Sequence, residues 1–222
     1  PVEGMVVMEE LGRGMVLEPL NQALIAGGVL SGYAPDALKT EWLPRIAAGD
    51  ALVVLASQER RARYRLDVCD AKATQSSVGW SLTATKNVVP VGDQADAFLV
   101  PATVNGAVAL FLVARGASGV STRGYGTQDG GRAADLSLQN APASLITTDG
   151  LAALELAVDI GIAATCAEAV GVMDKTVDLT AEYLNTRKQF GVPIGSFQAL
   201  RHRAADMKMQ LELARSMSYY AS

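Results

Sequence analysis

The spacing of apolar residues changes twice along the chain, and this restricts the possible folds more than any other feature. From residue 6 to about residue 49, apolar side chains recur at helical spacing, as in Met8, Leu11 and Met15. From residue 51 the spacing becomes typical of strands, and after Gly150 it becomes helical again. The sequence therefore predicts helices, then a β domain, then more helices.

A hairpin signal marks the middle of the β segment. Asn105-Gly106 separates two apolar runs, residues 97–100 and 108–113. Asn and Gly tolerate the positive φ angles of a type I′ turn, so this pair favours a tight hairpin. Together with the apolar run at residues 51–56 and the alternation that begins at Trp80, the hairpin predicts an all-β domain over residues 51–147.

The last third of the chain predicts two long helices. Residues 151–186 form one helical pattern, whose first half is rich in Ala and Gly, including Gly171. Small residues let a neighbouring helix approach closely, so we expect this helix to lie in a bundle, with Gly171 at a close crossing. Gly191, Pro193 and Gly195 interrupt the pattern, and a second helix is predicted from Ser196.

Composition excludes several classes of function. The chain has 222 residues, half of them hydrophobic, and a net charge of −4, which argues for a soluble globular protein and against a nucleic-acid partner. The densest basic run, Arg60, Arg61, Arg63 and Arg65, is interpreted either as a solvated loop or as a contact to a substrate phosphate.

Cysteine, histidine and hydropathy content set further limits. Two distant cysteines, Cys69 and Cys166, and a single histidine give no metal site, and both thiols are expected to be reduced core residues. No apolar run reaches the ~18 residues of a membrane span, so no membrane partner and a cytoplasmic location are expected. The sequence has no initiator Met and stops within a helical pattern, so the chain is interpreted as cut at both ends.

The most informative segment lies between the two C-terminal helices. It places Arg187, Gln189 and Phe190 at a helix end and Ser196 and Gln198 at the next helix start. A planar guanidinium group and amide donors suit a pyrophosphate, and an apolar surface suits a flat ring. The alternative is an ordinary helix hairpin with an N-capping Ser. Over some 25 positions, residues 183–207, the segment closely resembles the acyl-CoA dehydrogenase signature.

The resemblance continues in order along the whole chain. Segments similar to that family are residues 8–13, residues 42–50, Lys86 with Gly92 and Asp96, residues 130–136 and residues 140–143. The resemblance implies an α+β fold: the end of an N-terminal helical domain (1–50), a middle antiparallel β-barrel-like domain (51–147), and a partial C-terminal helical bundle (148–222).

The resemblance also implies a cofactor and site residues. In that family, FAD lies between the β domain and the C-terminal helices, and the junction of one subunit reaches the cofactor of its neighbour. Carried over, Arg187 would pair with the pyrophosphate, Gln189 and Phe190 would border the nucleotide, and Gln198 would add a hydrogen bond. The implied activity is oxidation of an acyl-CoA substrate in lipid and fatty acid metabolism. The implied partners are a homologous subunit, in a hetero- or homotetramer, and an electron-transfer flavoprotein.

Two departures from the family pattern concern the β domain. Where the family has a glycine-rich Thr-Glu-Pro loop, this chain has residues 56–64, with Ser57 and Gln58 at the aligned polar positions. Val88 and Pro90 stand where the family has a Trp that covers one flavin face and a Thr that contacts flavin N5. Proline has neither a hydroxyl nor a backbone N–H, so the chain's own flavin pocket departs from the pattern.

The catalytic base is the third departure. Removing an α-proton from an acyl thioester needs a carboxylate within hydrogen-bond reach. The family places that Glu either beyond residue 222 or at the position of Gly161. Asp159, Glu155 and Glu168 lie nearby, but a shift of two residues turns a helix by ~200°. The catalytic residue is therefore left unassigned.

Three hypotheses follow. In the first, the chain is a subunit that donates Arg187 to a partner's flavin and resembles the pimeloyl-CoA dehydrogenase-like small subunits. In the second, it belongs to a self-sufficient homotetramer whose Glu lies beyond residue 222. In the third, it is a structural subunit that has lost flavin.

Overall fold

The computed structural model describes residues 2–221 and follows the predicted order of helices, strands and helices. Its helices are α1 (Val2–Gly14), α2 (Leu20–Tyr33), α3 (Asp36–Ala48), α4 (Gly150–Thr186) and α5 (Gln198–Ala221). Helix α3 ends where Gly49 adopts φ +78°, a left-handed conformation that glycine takes at low cost. Both long C-terminal helices are confirmed, although α5 begins two residues after Ser196.

Strands form the middle of the chain. They are β1 (Val53–Leu55), β2 (Lys72–Ser76), β3 (Gly79–Pro90), β4 (Ala97–Val104), β5 (Ala107–Ala114), β6 (Val120–Gly126) and β7 (Arg132–Thr147). Five of them pair in a closed ring, β4–β2–β3–β7–β5 and back to β4. Outside this ring, strand β1 pairs with β4 and strand β6 pairs with β7. The predicted barrel-like domain is confirmed.

The hairpin prediction is confirmed in register. Asn105 and Gly106 have φ angles of +50° and +85°, and Val104 pairs with Ala107 across the turn. Most neighbouring strands pair antiparallel, as predicted, but β4 also pairs in parallel with β1 and β2. The connections into β4 from these strands are longer than a hairpin turn, which makes parallel pairing possible.

By contact density the chain divides into two compact units. One contains residues 19–161, and the other contains residues 1–18 and 162–222. The first unit has two apolar cores, one inside the barrel around Phe98 and Phe111, and one between the barrel, α2 and the first turns of α4. The domain limits 1–50, 51–147 and 148–222 follow the family pattern instead of this division, and they stay a prediction.

The second unit is built on close helix crossings. A Cβ atom at Gly171 would overlap the backbone carbonyl oxygen of Glu9, and one at Gly12 would overlap that of Glu168. The predicted close crossing at Gly171 is therefore present, and α1 is the helix that approaches it.

Ion pairs join the helices of this unit. Arg215 on α5 lies 3.2 Å from a carboxylate oxygen of Glu9 on α1 and 3.5 Å from one of Asp174 on α4, and Arg13 on α1 also pairs with Asp174. These side chains connect all three helices.

Two expectations need correction. Cys166 is exposed on α4, so it is not a core residue, whereas Cys69 is half-buried. Helix α4 is also long and apolar enough to cross a membrane, by length and composition alone. One such helix is weak evidence, because a core helix passes the same test, and several α4 residues, Ala153, Leu154 and Ala157 among them, are buried.

Candidate functional site

The predicted site residues fall into two groups. Ser57, Gln58, Val88 and Pro90 belong to the unit that contains the barrel. Four others, Arg187, Gln189, Phe190 and Gln198, lie at the junction between α4 and α5 in the other unit.

The structure brings the loop after β1 next to the end of β3. The backbone N–H of Asn87 donates to the carbonyl oxygen of Gln58 at 2.9 Å, so Gln58 and Val88 become neighbours. A register irregularity between Lys86 and Val89 leaves Val88 at φ +50° and half-exposed. Such irregularities bend a strand locally and change the direction of its side chains.

A buried ion pair anchors this loop. Lys86 is fully buried, and its Nζ lies 2.6 Å from Oε1 of Glu59 and donates to the carbonyl oxygen of Pro101 at 2.9 Å. The Glu59 carboxylate also accepts from the backbone N–H groups of Asp70, at 2.5 Å, and Ala71, at 3.1 Å. Both ends of the loop that connects β1 and β2 are thus tied to one carboxylate.

The pair sets the charge state of the groups around it. Burial raises the pKa of Glu59, but the hydrogen bond from Lys86 and those from the two backbone amides outweigh it and hold the pKa below its ordinary value. Cys69 donates to the carbonyl oxygen of Pro101 at 3.3 Å, and burial raises its thiol pKa. Glu59 is therefore a carboxylate at neutral pH and Cys69 a thiol.

A groove of about 610 Å³ opens on the outer face of the barrel above this pair. Residues Glu59 to Arg61 and Asp70 form one side of it. The floor consists of outward residues of β3 and β7, namely Thr83, Thr85, Asn87, Asp135, Ser137 and Gln139. Neither the groove nor the buried pair was predicted from the sequence. The sequence signal for the pair was Lys86. It lies two residues after Ala84 and four after Leu82, so its side chain lies on the same inner face of β3 as theirs.

The junction of α4 and α5 is an exposed two-stranded hairpin. Strand β8 (Lys188–Gln189) pairs with β9 (Val192–Pro193), and a single 3₁₀ turn (Ile194–Ser196) leads into α5. Arg187 directly follows α4 with its side chain exposed, and the backbone N–H of Ile194 donates to the Arg187 carbonyl oxygen at 2.8 Å. Within residues 2–221 the Arg187 side chain forms no ion pair.

Phe190 lies at the tip of this hairpin. It has φ +53° and is 91% exposed, and its ring meets that of Phe197 edge to face at 6.2 Å between centroids. This apolar side chain is therefore not a buried anchor of the turn. Gln189 and Gln198 are also exposed, and Ser196 donates to the carbonyl oxygen of Pro193 at 2.7 Å, so it does not cap α5.

Comparison with known proteins decides the family. Residues 148–222 match the model of the acyl-CoA dehydrogenase C-terminal domain. The acyl-CoA dehydrogenase FadE27 of Mycobacterium tuberculosis is 32% identical over 92% of this chain and 54% of its own length. The chain belongs to the acyl-CoA dehydrogenase family.

Solved structures agree with this membership. A variant of the Tcur3481-Tcur3483 steroid ACAD is 31% identical with a TM-score of 0.88, over 98% of this chain and 59% of that one. The ChsE4-ChsE5 complex of Mycobacterium tuberculosis gives 29% identity and a TM-score of 0.87, over 99% and 60%. The chain thus spans little more than half the length of these relatives.

The residues of the barrel unit do not fit the flavin of an acyl-CoA dehydrogenase. Pro90 offers no donor toward N5, and the half-exposed Val88 offers no aromatic face. The Arg60–Tyr64 segment puts bulky side chains where the family has glycines, and Arg63 has φ +48°. The exposed Arg187, by contrast, has the right chemistry for a phosphate, because a guanidinium fork can bind two phosphate oxygens.

No residue of the described chain takes the place of the family's catalytic Glu. Gly161 faces α2, where an added Cβ would lie 3.2 Å from Cδ1 of Ile25 and 3.9 Å from Oδ1 of Asn21, and it has no side chain that could act as a base. Glu155 and Asp159 are exposed on α4, and Glu168 is half-buried in the other unit. Residues 2–221 also contain no group of His, Cys, Asp and Glu that could hold a metal ion.

Proposed function

We propose that this chain is a subunit of an FAD-dependent acyl-CoA dehydrogenase that oxidises the α,β bond of a CoA thioester. In this proposal it contributes Arg187 to a flavin site shared with a catalytic partner subunit. The observation that carries the proposal is the exposed hairpin junction, where Arg187 has no ion-pair partner within residues 2–221 and Phe190 is 91% exposed.

A flavin supplies the hydride acceptor in this chemistry, while a base removes the α-proton. This chain's part is binding: Arg187 would hold the pyrophosphate, Gln189 and Phe190 would border the nucleotide, and Gln198 would donate a hydrogen bond. The base and the ring pocket would come from the partner, since Gly161, Val88 and Pro90 supply neither. Electrons would leave to an electron-transfer flavoprotein.

The names of two relatives support a subunit role. The ChsE4-ChsE5 and Tcur3481-Tcur3483 structures each pair two named proteins, and both resemble this chain over nearly its full length. The second hypothesis, a self-sufficient homotetramer with its Glu beyond residue 222, is disfavoured by Val88 and Pro90, because a later Glu would not restore the flavin contacts. The third, a structural subunit without flavin, predicts that Arg187 has no effect on cofactor content.

We expect Arg187→Lys to lower flavin binding and to leave the fold intact. Lysine keeps the charge but loses the planar fork, so FAD affinity in the assembly should weaken about tenfold. An exposed Arg contributes only ~0–1 kcal/mol to folding, so the melting temperature should hardly change. The measurement is FAD content and melting temperature of the variant assembled with its wild-type partner.

Arg203→Lys provides the matched control, because Arg203 is exposed on α5 and forms no ion pair within residues 2–221. Its FAD content should equal that of the wild type. Full flavin retention in Arg187→Lys would contradict the cofactor role. A large drop in melting temperature with retained flavin would favour an ordinary helix hairpin.

A further inference from the structure

The buried pair of Lys86 and Glu59 has a cysteine beside it. The Nζ of Lys86 lies 3.8 Å from Sγ of Cys69, and this Sγ lies 3.7 Å from Oε1 of Glu59. Lys86 and Cys69 also share an acceptor, because they donate to the carbonyl oxygen of Pro101 at 2.9 Å and 3.3 Å. A primary amine on β3 and a thiol in the loop between β1 and β2 are therefore held side by side, next to a carboxylate.

The amine and the thiol differ in their access to solvent. Lys86 is fully buried, whereas Cys69 is half-buried, so a small solute reaches the thiol before the amine. Burial raises the pKa of Cys69, although the positive charge of Lys86 acts in the opposite direction by favouring the thiolate. Oxidation at this position therefore requires a small uncharged oxidant, and hydrogen peroxide is one.

The contacts of Sγ limit what an oxidised Cys69 can react with. Within residues 2–221 its polar neighbours are an oxygen of the Glu59 carboxylate, the carbonyl oxygens of Ala71 and Pro101, and the Lys86 amine. Only the amine has a nitrogen that can bond to an oxidised cysteine. Because Nζ and Sγ lie 3.8 Å apart, a direct S–N bond would require a larger movement than a bridge that keeps one oxygen atom between them.

We propose that Cys69 and Lys86 form a covalent modification site, in which oxidation by hydrogen peroxide joins Sγ to Nζ through one oxygen atom. First, peroxide oxidises the thiol to a sulfenic acid and is reduced to water. A second peroxide is then reduced to two waters, while the sulfenic O–H and one amine N–H bond break and the O–N bond forms. Sulfur and nitrogen each lose two electrons, and the additional proton of the Lys86 ammonium passes to Glu59.

The test is peptide mapping by mass spectrometry of the folded full-length protein after treatment with hydrogen peroxide. Trypsin cleaves after Arg65 and Lys72, so residues 66–72 carry Cys69 on a separate peptide. We expect this peptide to be linked to the one that contains Lys86, at about 14 Da above the sum of the two masses, for one oxygen gained and two hydrogens lost. Cleavage after Lys86 should be lost, whereas cleavage after the exposed Lys72 should stay complete.

Cys69→Ser and Cys166→Ser are the matched variants. Cys69→Ser should abolish the link, and Cys166→Ser should leave it unchanged, because Cys166 is exposed on α4 and forms no hydrogen bond within residues 2–221. Peroxide added to the protein unfolded in urea should give no link, since unfolding separates the amine from the thiol. No flavin, substrate or partner subunit takes part in these measurements, so their outcome is independent of the proposed function.

Two results would overturn the proposal. One is a Cys69 that is recovered unmodified, or only as sulfinic or sulfonic acid, with full cleavage after Lys86. The other is a link whose mass lacks the additional oxygen, because that product contains a direct S–N bond.

Discussion

Replacing Lys86 with Met is expected to lower the free energy of unfolding by roughly 3–5 kcal/mol, because it leaves the Glu59 carboxylate as an unpaired buried charge. The Lys86 side chain is fully buried and that of Glu59 is 5% exposed, so water is a poor replacement for the lost partner. The carbonyl oxygen of Pro101 also loses the hydrogen bond from Lys86, although it keeps the one from Cys69. This is the largest effect that we expect from a single substitution in the barrel.

Tryptophan fluorescence during urea unfolding measures this loss selectively. The chain has two tryptophans, Trp42 and Trp80, and both lie in the unit that contains the barrel. Arg65→Gln is the control, since it breaks an exposed pair with Asp67 and should cost at most about 1 kcal/mol. A double variant, Lys86→Met with Glu59→Gln, should be less destabilised than the sum of the single changes. A change below about 1 kcal/mol in Lys86→Met would show that the pair is not needed.

The ion pair between Glu59 and Lys86 also makes the free energy of unfolding depend on pH, with a decrease expected in acid. The pKa of Glu59 in the folded protein is lowered, so its contribution to stability is present above the unfolded pKa of about 4.3. That contribution is lost as the pH falls through the lower, folded pKa. Wild type should therefore lose more stability than Lys86→Met between neutral pH and acid.

The second large effect is expected at Gly171. A side chain there would overlap the backbone carbonyl oxygen of Glu9, and a backbone atom cannot rotate away as a side chain can. Gly171→Leu should therefore push α1 away from α4 and cost about 3 kcal/mol. The urea midpoint followed by circular dichroism of the helices measures it.

Gly27→Ala is the matched control for Gly171→Leu. Gly27 lies within α2, and an added Cβ would meet no atom within 4 Å. Alanine is the better helix former by ~1 kcal/mol, so this variant should be as stable as the wild type or more stable. If Gly171→Leu melts like the wild type, the close approach of α1 to α4 is not present in solution.

Local patterns predicted most of the fold. Asn105-Gly106 determined its hairpin, and the uninterrupted helical spacing of residues 151–186 determined α4, because both signals depend on neighbours in sequence. The parallel pairing of β1 with β4 was not predicted, since it joins Val53 to Ala97 across 44 residues. Pairing over such a separation leaves no mark in the spacing of either strand.

The site was less accessible to sequence. Lys86 occupies an inward position of β3, but its partner Glu59 lies 27 residues earlier, and only the folded barrel brings them together. The exposure of Phe190 could not be predicted from its apolar character, because it follows from its place at a hairpin tip, where its own chain covers little of it. The predicted roles of Ser57, Gln58, Val88, Pro90, Arg187, Gln189, Phe190 and Gln198 toward FAD stay predictions.

The most direct test of a flavin site shared with a partner subunit is an assay of acyl-CoA thioester oxidation. The full-length protein is assayed both alone and co-expressed with a homologous sister subunit. An artificial electron acceptor makes the assay independent of an electron-transfer flavoprotein. We expect turnover in the co-expressed assembly and none above background in the lone chain. The reason is that Gly161 is no base and that Val88 and Pro90 do not fit a flavin. Substantial turnover by the lone homo-oligomer would contradict it.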